Sequence, residues 1–410
     1  MHSERSFPKT VITKKGSRWV EDGHPWVYEG EVLKTVPDLV PDGALTDVVT
    51  EGGKYLGTGF FNSKSKIRVR ILSRNANDRF DDAFFERRIQ YAVDYRKSVM
   101  GSDFSCCRLI FGEADGFPGL TVDRFQDLLS VEVLSKGIED RKEMIIRTLV
   151  RKLREDGETI RGVYERNESP IRLLEGLKPY KGWFLLPGEP SPGSPQTIIT
   201  ENGIRYEVDV ENGQKTGFFL DQKYNRAAVG EISRSRTVLD CFTHTGSFAL
   251  NALKGGAKEV TAVDISGTAL QTAKKNAELN NMSGRIRFVE ADAFQYLSEL
   301  ERSGKHPFDL IILDPPAFTK SRETTGSAEK GYKEINYRAM KILPRGGYLA
   351  TASCSHFMPN ERFEKMLRSA ARDAGVSLKE IEIRKQAKDH PILWGVPETE
   401  YLKFYLFQIL

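Results

Sequence analysis

Four short apolar runs, each closing on an acid, recur between Val238 and Pro316. They are Val238-Leu239-Asp240, Val260-Thr261-Ala262-Val263-Asp264, Ile286-Arg287-Phe288-Val289-Glu290-Ala291-Asp292 and Phe308-Asp309-Leu310-Ile311-Ile312-Leu313-Asp314. Such β-branched runs, separated by helical stretches, predict strands buried on both faces of a parallel sheet. The last run, Tyr401 to Phe407, is equally apolar and predicts an antiparallel strand inserted into that sheet. Ahead of them, Ile204 to Val210 alternates as a strand, with Thr216 to Gln222 as a further extended piece.

Upstream the pattern changes twice. The first roughly 70 residues show short strand patterns and turns, with no helix longer than a few turns. Gly23-His24-Pro25-Trp26-Val27-Tyr28 reads as a turn entering a strand, its aromatics assigned to the core in preference to base-stacking platforms. From Asp78, helical spacing takes over: Phe84, Phe85, Ile89, Ala92 and Val93 mark a helix over Asp81 to Ser98. Strand candidates follow at Arg108–Phe111, Leu128–Val133 and around Gly162–Tyr164, with a helix over Ile138 to Leu153. Pro187 to Pro195 punctuates the chain as a linker. The predicted architecture is multidomain: a β-rich barrel over 1–75, a small α+β domain over 76–188, and an α/β Rossmann-like domain over 196–410.

The acids at successive strand ends fall where open parallel sheets bind ligands. The turn after Asp240, Cys241 to Ser247, lacks the glycine patterns that cradle a pyrophosphate or triphosphate. Carboxylates without phosphate-binding amides suit a cationic, phosphate-free ligand, and S-adenosylmethionine fits: a sulfonium, an ammonium and a ribose diol. Asp264 lies about 20 residues past the first loop, the spacing of a ribose-binding carboxylate. Asp240 is then assigned to the methionine ammonium and Asp292 to the adenine amine. Helix capping is the alternative for any one of these acids.

Two loops carry the expected chemistry. Asp314-Pro315-Pro316-Ala317-Phe318 is stiffened by its prolines, aiming Asp314 as a rigid acceptor, with Phe318 either stacking on a base or packing in the core. Tyr348 to His356 is a strand ending in small residues with one thiol, Cys354, over the same face. Pyrimidine carbon-5 is a poor nucleophile until a thiolate adds to carbon-6, so this cysteine has a chemical purpose. His356 is either its base or a loop residue.

Composition adds bounds. The 410 residues exceed one ordinary core, and the net charge of +4 permits a nucleic-acid partner without requiring it. Lys64, Lys66, Arg68 and Arg70 share one face of an alternating strand, either tracking a phosphate backbone or facing solvent. Four cysteines (Cys106, Cys107, Cys241, Cys354) without disulfide or metal spacing point to a reducing cytoplasm. Cys106 and Cys107 read as buried thiols, and Cys241 as packing beside the ligand. No signal core or membrane-length apolar run is present in the sequence.

Together these motifs resemble a family: class I S-adenosylmethionine-dependent 23S rRNA (cytosine-5)-methyltransferases with an N-terminal PUA domain and a small α+β middle domain. The resemblance rests on Gly23 to Tyr28, on Phe111-Gly112-Glu113-Ala114-Asp115-Gly116-Phe117-Pro118-Gly119-Leu120, and on Gly217 to Gln222 with Asn225-Arg226. Asp314 to Phe318, Ser353-Cys354-Ser355 and Gln386 to Pro391 complete it. It implies Cys354 as nucleophile and Asp314 at the ring edge of a flipped cytosine in large-subunit rRNA. It also implies a cofactor site of Phe219, Asp221, Gln222, Arg226, Asp240, Phe242, Thr243, Gly246, Asp264, Asp292 and Asp314; Phe318, as a stacking ring, and Lys66 and Arg68, from the basic stripe, are expected toward RNA. Related enzymes carry a second cysteine after the fourth strand; Pro316-Ala317 stands there, so the base for the carbon-5 proton is unassigned. The same loop resembles that of enzymes methylating exocyclic amines of adenine or guanine, and a non-catalytic RNA-binding factor is the reading from another class. A homodimer is compatible with all three.

Overall fold

The computed structural model describes residues 6–318 and 325–410. Its packing divides the chain into two compact units. The first comprises Met1–Ile199, Val208–Leu220 and Lys388–Thr399; the second comprises Thr200–Glu207, Asp221–Ala387 and Glu400–Leu410.

The first unit contains two larger sheets. Six strands run in the order Trp26–Tyr28, Ile67–Ser73, Tyr55–Phe61, Leu45–Thr50, Lys9–Ile12, Val32–Val36. Ile12, Val27, Val48 and Val69 close over Val20 of the short helix Lys14–Glu21. Five more strands run Tyr180–Phe184, Gly162–Asn167, Leu128–Val133, Leu120–Phe125, Cys106–Phe111. The helix Asp82–Met100 begins at Asp81, whose carboxylate accepts the Phe84 N–H at 3.0 Å, and it buries the apolar stripe its spacing predicts. Cys106 and Cys107 are both buried.

The segment around Gly112 ties these parts together. Glu113 accepts the Trp26 indole N–H at 2.8 Å and faces the Arg70 guanidinium at 3.3 Å. Arg70 also donates to Glu175 at 2.9 Å, and Asn62 donates to the same carboxylate. The strands near the N-terminus thereby share buried polar contacts with the middle segment, and both fall in one compact unit.

Three expectations are corrected here. Arg70 is buried and ion-paired rather than part of an open cationic stripe, and Arg68 is engaged by Glu29 and by loop carbonyls, leaving Lys64 and Lys66 exposed. The predicted helix from Ile138 to Leu153 is two helices, Lys136–Glu139 and Lys142–Glu155. Arg141 stands between them with φ widened to −119°, and its guanidinium donates to the Gly137 carbonyl at 3.0 Å. The segment Thr216 to Gln222 is no strand: Lys215 and Gly217 take φ of 51° and 139°, and only a short turn of 3₁₀ helix forms at Leu220–Gln222.

In the second unit we number seven strands: β1 (Thr237–Cys241), β2 (Glu259–Asp264), β3 (Ile286–Glu290), β4 (Leu310–Leu313), β5 (Tyr348–Ser353), β6 (Leu378–Arg384) and β7 (Lys403–Ile409). Six helices accompany them: α1 (Lys223–Glu231), α2 (Ser247–Lys254), α3 (Gly267–Leu279), α4 (Ala293–Ser303), α5 (Thr325–Ile342) and α6 (Asn360–Ala374). The strand order is β3-β2-β1-β4-β5-β7-β6. β1 to β5 pair in parallel, and β7 is antiparallel to both its neighbours, as expected. Leu239, Ile311, Leu349 and Phe407 are buried in its core, each such side chain contributing on the order of 1.5–3 kcal/mol. The winding reverses between β1 and β4, which opens a crevice at their carboxyl ends. Among the described residues no helix is long and apolar enough to cross a membrane.

Candidate active site

The register sets the loops after β1, β2, β4 and β5 along one edge of the sheet: Cys241 pairs with Val263 and Leu313, and Leu313 with Thr351. The loop leaving β1 is bent by backbone conformations that most residues avoid. Phe242, His244 and Gly246 have φ of 63°, 51° and 81°. A side chain at Gly246 would also press on the Ala273 methyl at 3.1 Å, so glycine is required on two grounds. The Thr243 N–H fastens the loop to the Val263 carbonyl at 3.0 Å.

Asp240 lies at the base of this loop, fully buried. Its Oδ2 accepts the Thr243 hydroxyl at 2.5 Å and the Ala249 N–H at 3.0 Å. Among the described residues its Oδ1 has no hydrogen-bond partner. Burial pushes the carboxyl up to about 7, and the charges of Asp314 and Asp264 add to that shift. A buried acid with one open oxygen and two acidic neighbours calls for a cation. An ammonium and a sulfonium supply that charge, so the residues fit S-adenosylmethionine.

Asp264 is half-buried at the end of β2. It accepts the His244 N–H at 2.8 Å through Oδ2 and the Ser266 N–H at 2.9 Å through Oδ1. Each oxygen retains a lone pair for a further donor such as a ribose hydroxyl. The next residue, Ile265, is 69% exposed. A large apolar side chain left open at this edge offers a face for a flat ring, and sequence reasoning missed it because one residue makes no pattern. Asp292 is exposed and caps α4 by accepting the Gln295 N–H at 3.0 Å. The capping role is thus visible for this acid.

Asp314, half-buried beyond β4, accepts the Gln222 side-chain N–H at 2.9 Å. Gln222 is in turn held by Asn225 at 2.6 Å. This chain of amides fixes one carboxylate oxygen of Asp314. Asp221 accepts the Tyr401 hydroxyl at 2.6 Å, and Arg226 forms a buried ion pair with Glu201 at 2.7 Å. Burial lowers the Arg226 pKa but Glu201 outweighs it, so the guanidinium stays charged. Phe219 falls in the first compact unit, where the Lys215 ammonium lies 4.9 Å from its ring centroid.

Phe318 is partly buried and packs on Tyr332 and Phe294, with ring centroids 4.6 and 5.6 Å away. Cys354 is half-buried, one residue past β5, while His356 is exposed. Tyr332, missed as one more helical aromatic, is buried within reach of both Cys354 and Asp314. Burial, with those two charges, pushes its phenol up to about 12. The expected nucleophile and the expected ring-edge acceptor therefore share a corner with a neutral phenol. Cys241 is fully buried, as a packing thiol should be.

Comparison with known proteins agrees with this layout. Residues 108–407 match the S-adenosylmethionine-dependent methyltransferase family, and residues 11–74 match a PUA-like domain. The chain is 40% identical to Ribosomal RNA large subunit methyltransferase I of Aeromonas salmonicida, covering 93% of this chain and 94% of the relative. The protein of that name from Klebsiella pneumoniae is 37% identical, over 98% and 99% of the two chains. A methyltransferase structure from Streptococcus mutans superposes with a TM-score of 0.80 at 21% identity, over 98% and 99%. A methyltransferase complexed with SAH gives 0.81 at 21% identity, with equal coverage. The chain belongs to the S-adenosylmethionine-dependent methyltransferase family, carries a PUA-like domain ahead of that fold, and takes S-adenosylmethionine as its cofactor.

Proposed function

We propose that this protein methylates carbon-5 of a cytosine in large-subunit ribosomal RNA. The single observation that carries the reading is the Cys354 thiol at the carboxyl end of β5, beside the strand that delivers Asp314. The relatives' shared name supports the RNA class. The cofactor supplies an electrophilic methyl group. The Cys354 thiolate adds to carbon-6, forming a carbon–sulfur bond and turning carbon-5 into an enamine-like nucleophile. Carbon-5 takes the methyl, loses its proton to a base, and the ring expels the thiolate. Asp314, oriented by Gln222, accepts from the amine edge of the flipped base.

In this reading Asp240 faces the methionine ammonium, Asp264 the ribose and Asp292 the adenine amine. Asp221, Gln222, Arg226, Phe242, Thr243 and Gly246 complete the cofactor pocket. Phe318, Lys66 and Arg68 serve the RNA, Lys66 by its exposed charge. The domain plan remains 1–75, 76–188 and 196–410, with the RNA met in the cytoplasm. The Asp314-Pro315-Pro316-Ala317-Phe318 loop favours a second reading, amine methylation of adenine or guanine. Incubating the protein with S-adenosylmethionine and large-subunit rRNA fragments, then digesting to nucleosides for mass spectrometry, separates them. The expected product is 5-methylcytidine; a methyl on an exocyclic amine would overturn the proposal.

A further inference from the structure

β7 carries a lysine within an apolar strand. Lys403 is 4% exposed and stands opposite Ser353 in the β5–β7 register. Its ammonium donates to the Ser355 carbonyl at 2.7 Å, so the side chain runs alongside Cys354, the residue between those two. Among the described residues that carbonyl is its one hydrogen-bond acceptor. An ammonium has three donors, and burying it with one satisfied is unfavourable unless an anion stands close.

The charges around it narrow the choice of anion. Burial pushes Lys403 down to about 8, while Cys354 and then Glu400 pull it back up. Glu400 is already held by Lys385 at 2.8 Å and Asn360 at 3.0 Å. From α5, the Tyr332 phenol is neutral at working pH, and from the β4 loop Asp314 adds only negative charge. Lys403 thus brings a buried cation from β7 to Cys354, whereas Tyr332 and Asp314 give its sulfur no positive charge.

Resting on the reading of Cys354 as nucleophile, we infer that Lys403 is its positioning partner: the buried ammonium holds the sulfur as a thiolate near neutral pH. The thiol proton leaves to solvent and the resulting ion pair is what the substrate meets. Above about pH 8 the lysine discharges and the pairing fades.

Iodoacetamide alkylation of the full chain across pH, followed by mass spectrometry of the Cys354 peptide, tests this directly. Cys106, Cys107 and Cys241 are buried, so the signal belongs to Cys354. The wild-type half-point should lie below the ordinary thiol value of about 8.5. Lys403→Gln should raise it by about one unit, slowing alkylation at pH 7 roughly tenfold, while Lys403→Arg keeps it low. A folded Lys403→Gln with the wild-type profile overturns the inference. Should the glutamine variant not fold, Lys403→Arg decides: a half-point at the ordinary thiol value overturns the pairing, and one at or below the wild-type value supports it. A shifted profile without any covalent adduct to 5-fluorocytosine RNA keeps the ion pair and removes the nucleophile. An adduct with an unshifted profile does the reverse.

Discussion

Asp240 is the residue where burial and charge conflict most. Its carboxyl is held up at about 7 in the cofactor-free protein, chiefly by burial, yet a cationic ligand needs it ionised. Below pH 7, binding S-adenosylmethionine must then release a proton. The dissociation constant should fall as pH rises from 6 to about 7, by at most tenfold per unit, and level off above that. Asp240→Asn should bind more weakly and lose the slope. Isothermal titration in two buffers of different ionisation heat counts the proton, and a wild-type constant flat from pH 6 to 8 contradicts the assignment. The same shift means that the cofactor-free fold loses stability as pH rises from the ordinary carboxylate range toward about 7, because the unfolded carboxyl ionises first. At this scale the sequence is legible only where a residue sits in a pattern. Asp240, Asp264 and Asp314 close apolar runs and so stand out as candidates; Ile265, Tyr332 and Lys403 are single side chains within ordinary strands, loops or helices, and their exposure or burial is decided by neighbours far along the chain.

Among the elements, the signature around Gly112 to Gly119 marked the family in the sequence without disclosing its chemistry. The structure makes it a hub of packing. Gly116 and Gly119 take φ of 73° and 76°, and Asp115 accepts the Phe111 N–H at 2.6 Å. Arg96, wholly buried on the helix Asp82–Met100, donates to Asp115 at 2.8 Å, to the Asp389 carbonyl at 2.9 Å and to the Arg108 carbonyl at 2.8 Å. Asp389, from the second motif Gln386 to Pro391, accepts the Arg108 N–H at 2.8 Å. Both motifs thus meet on one buried guanidinium. Arg96→Met should leave Asp115 charged and under-satisfied and destabilise the first unit by about 3–5 kcal/mol. Urea unfolding checks this; a loss under 1 kcal/mol would mean that the network is dispensable. Strand and helix identities were mostly readable from periodicity. The failures came where local backbone geometry prevailed over pattern: the break at Arg141, and the positive φ of Lys215 and Gly217 where an extended piece from Thr216 to Gln222 was expected.

For the whole molecule, order along the chain and compactness differ. Val208–Leu220 and Lys388–Thr399, which follow the linker in sequence, pack with the first unit. No composition shift announces such crossings, because they are set by buried hydrogen bonds such as Thr216 and Arg108 sharing Asp123. The basic stripe is a related case: alternation placed four cations on one face, but Glu113 and Glu175, distant in sequence, draw Arg70 inward. Most of the sheet of the second unit was legible, since β1, β2, β4, β5 and β7 declare themselves as apolar runs; β3, expected to be buried, is partly exposed, and β6, polar and largely exposed, made no such run and was not read. In the proposed function this sheet presents a nucleophilic thiol, Cys354, to a pyrimidine. RNA containing 5-fluorocytosine tests it most directly, because fluorine cannot leave as the carbon-5 proton does. With S-adenosylmethionine present, the wild-type protein should form an adduct with that RNA that survives denaturing electrophoresis, and Cys354→Ala should form none while retaining cofactor binding. No adduct from wild type, together with appreciable methyl transfer by Cys354→Ala, would contradict the account.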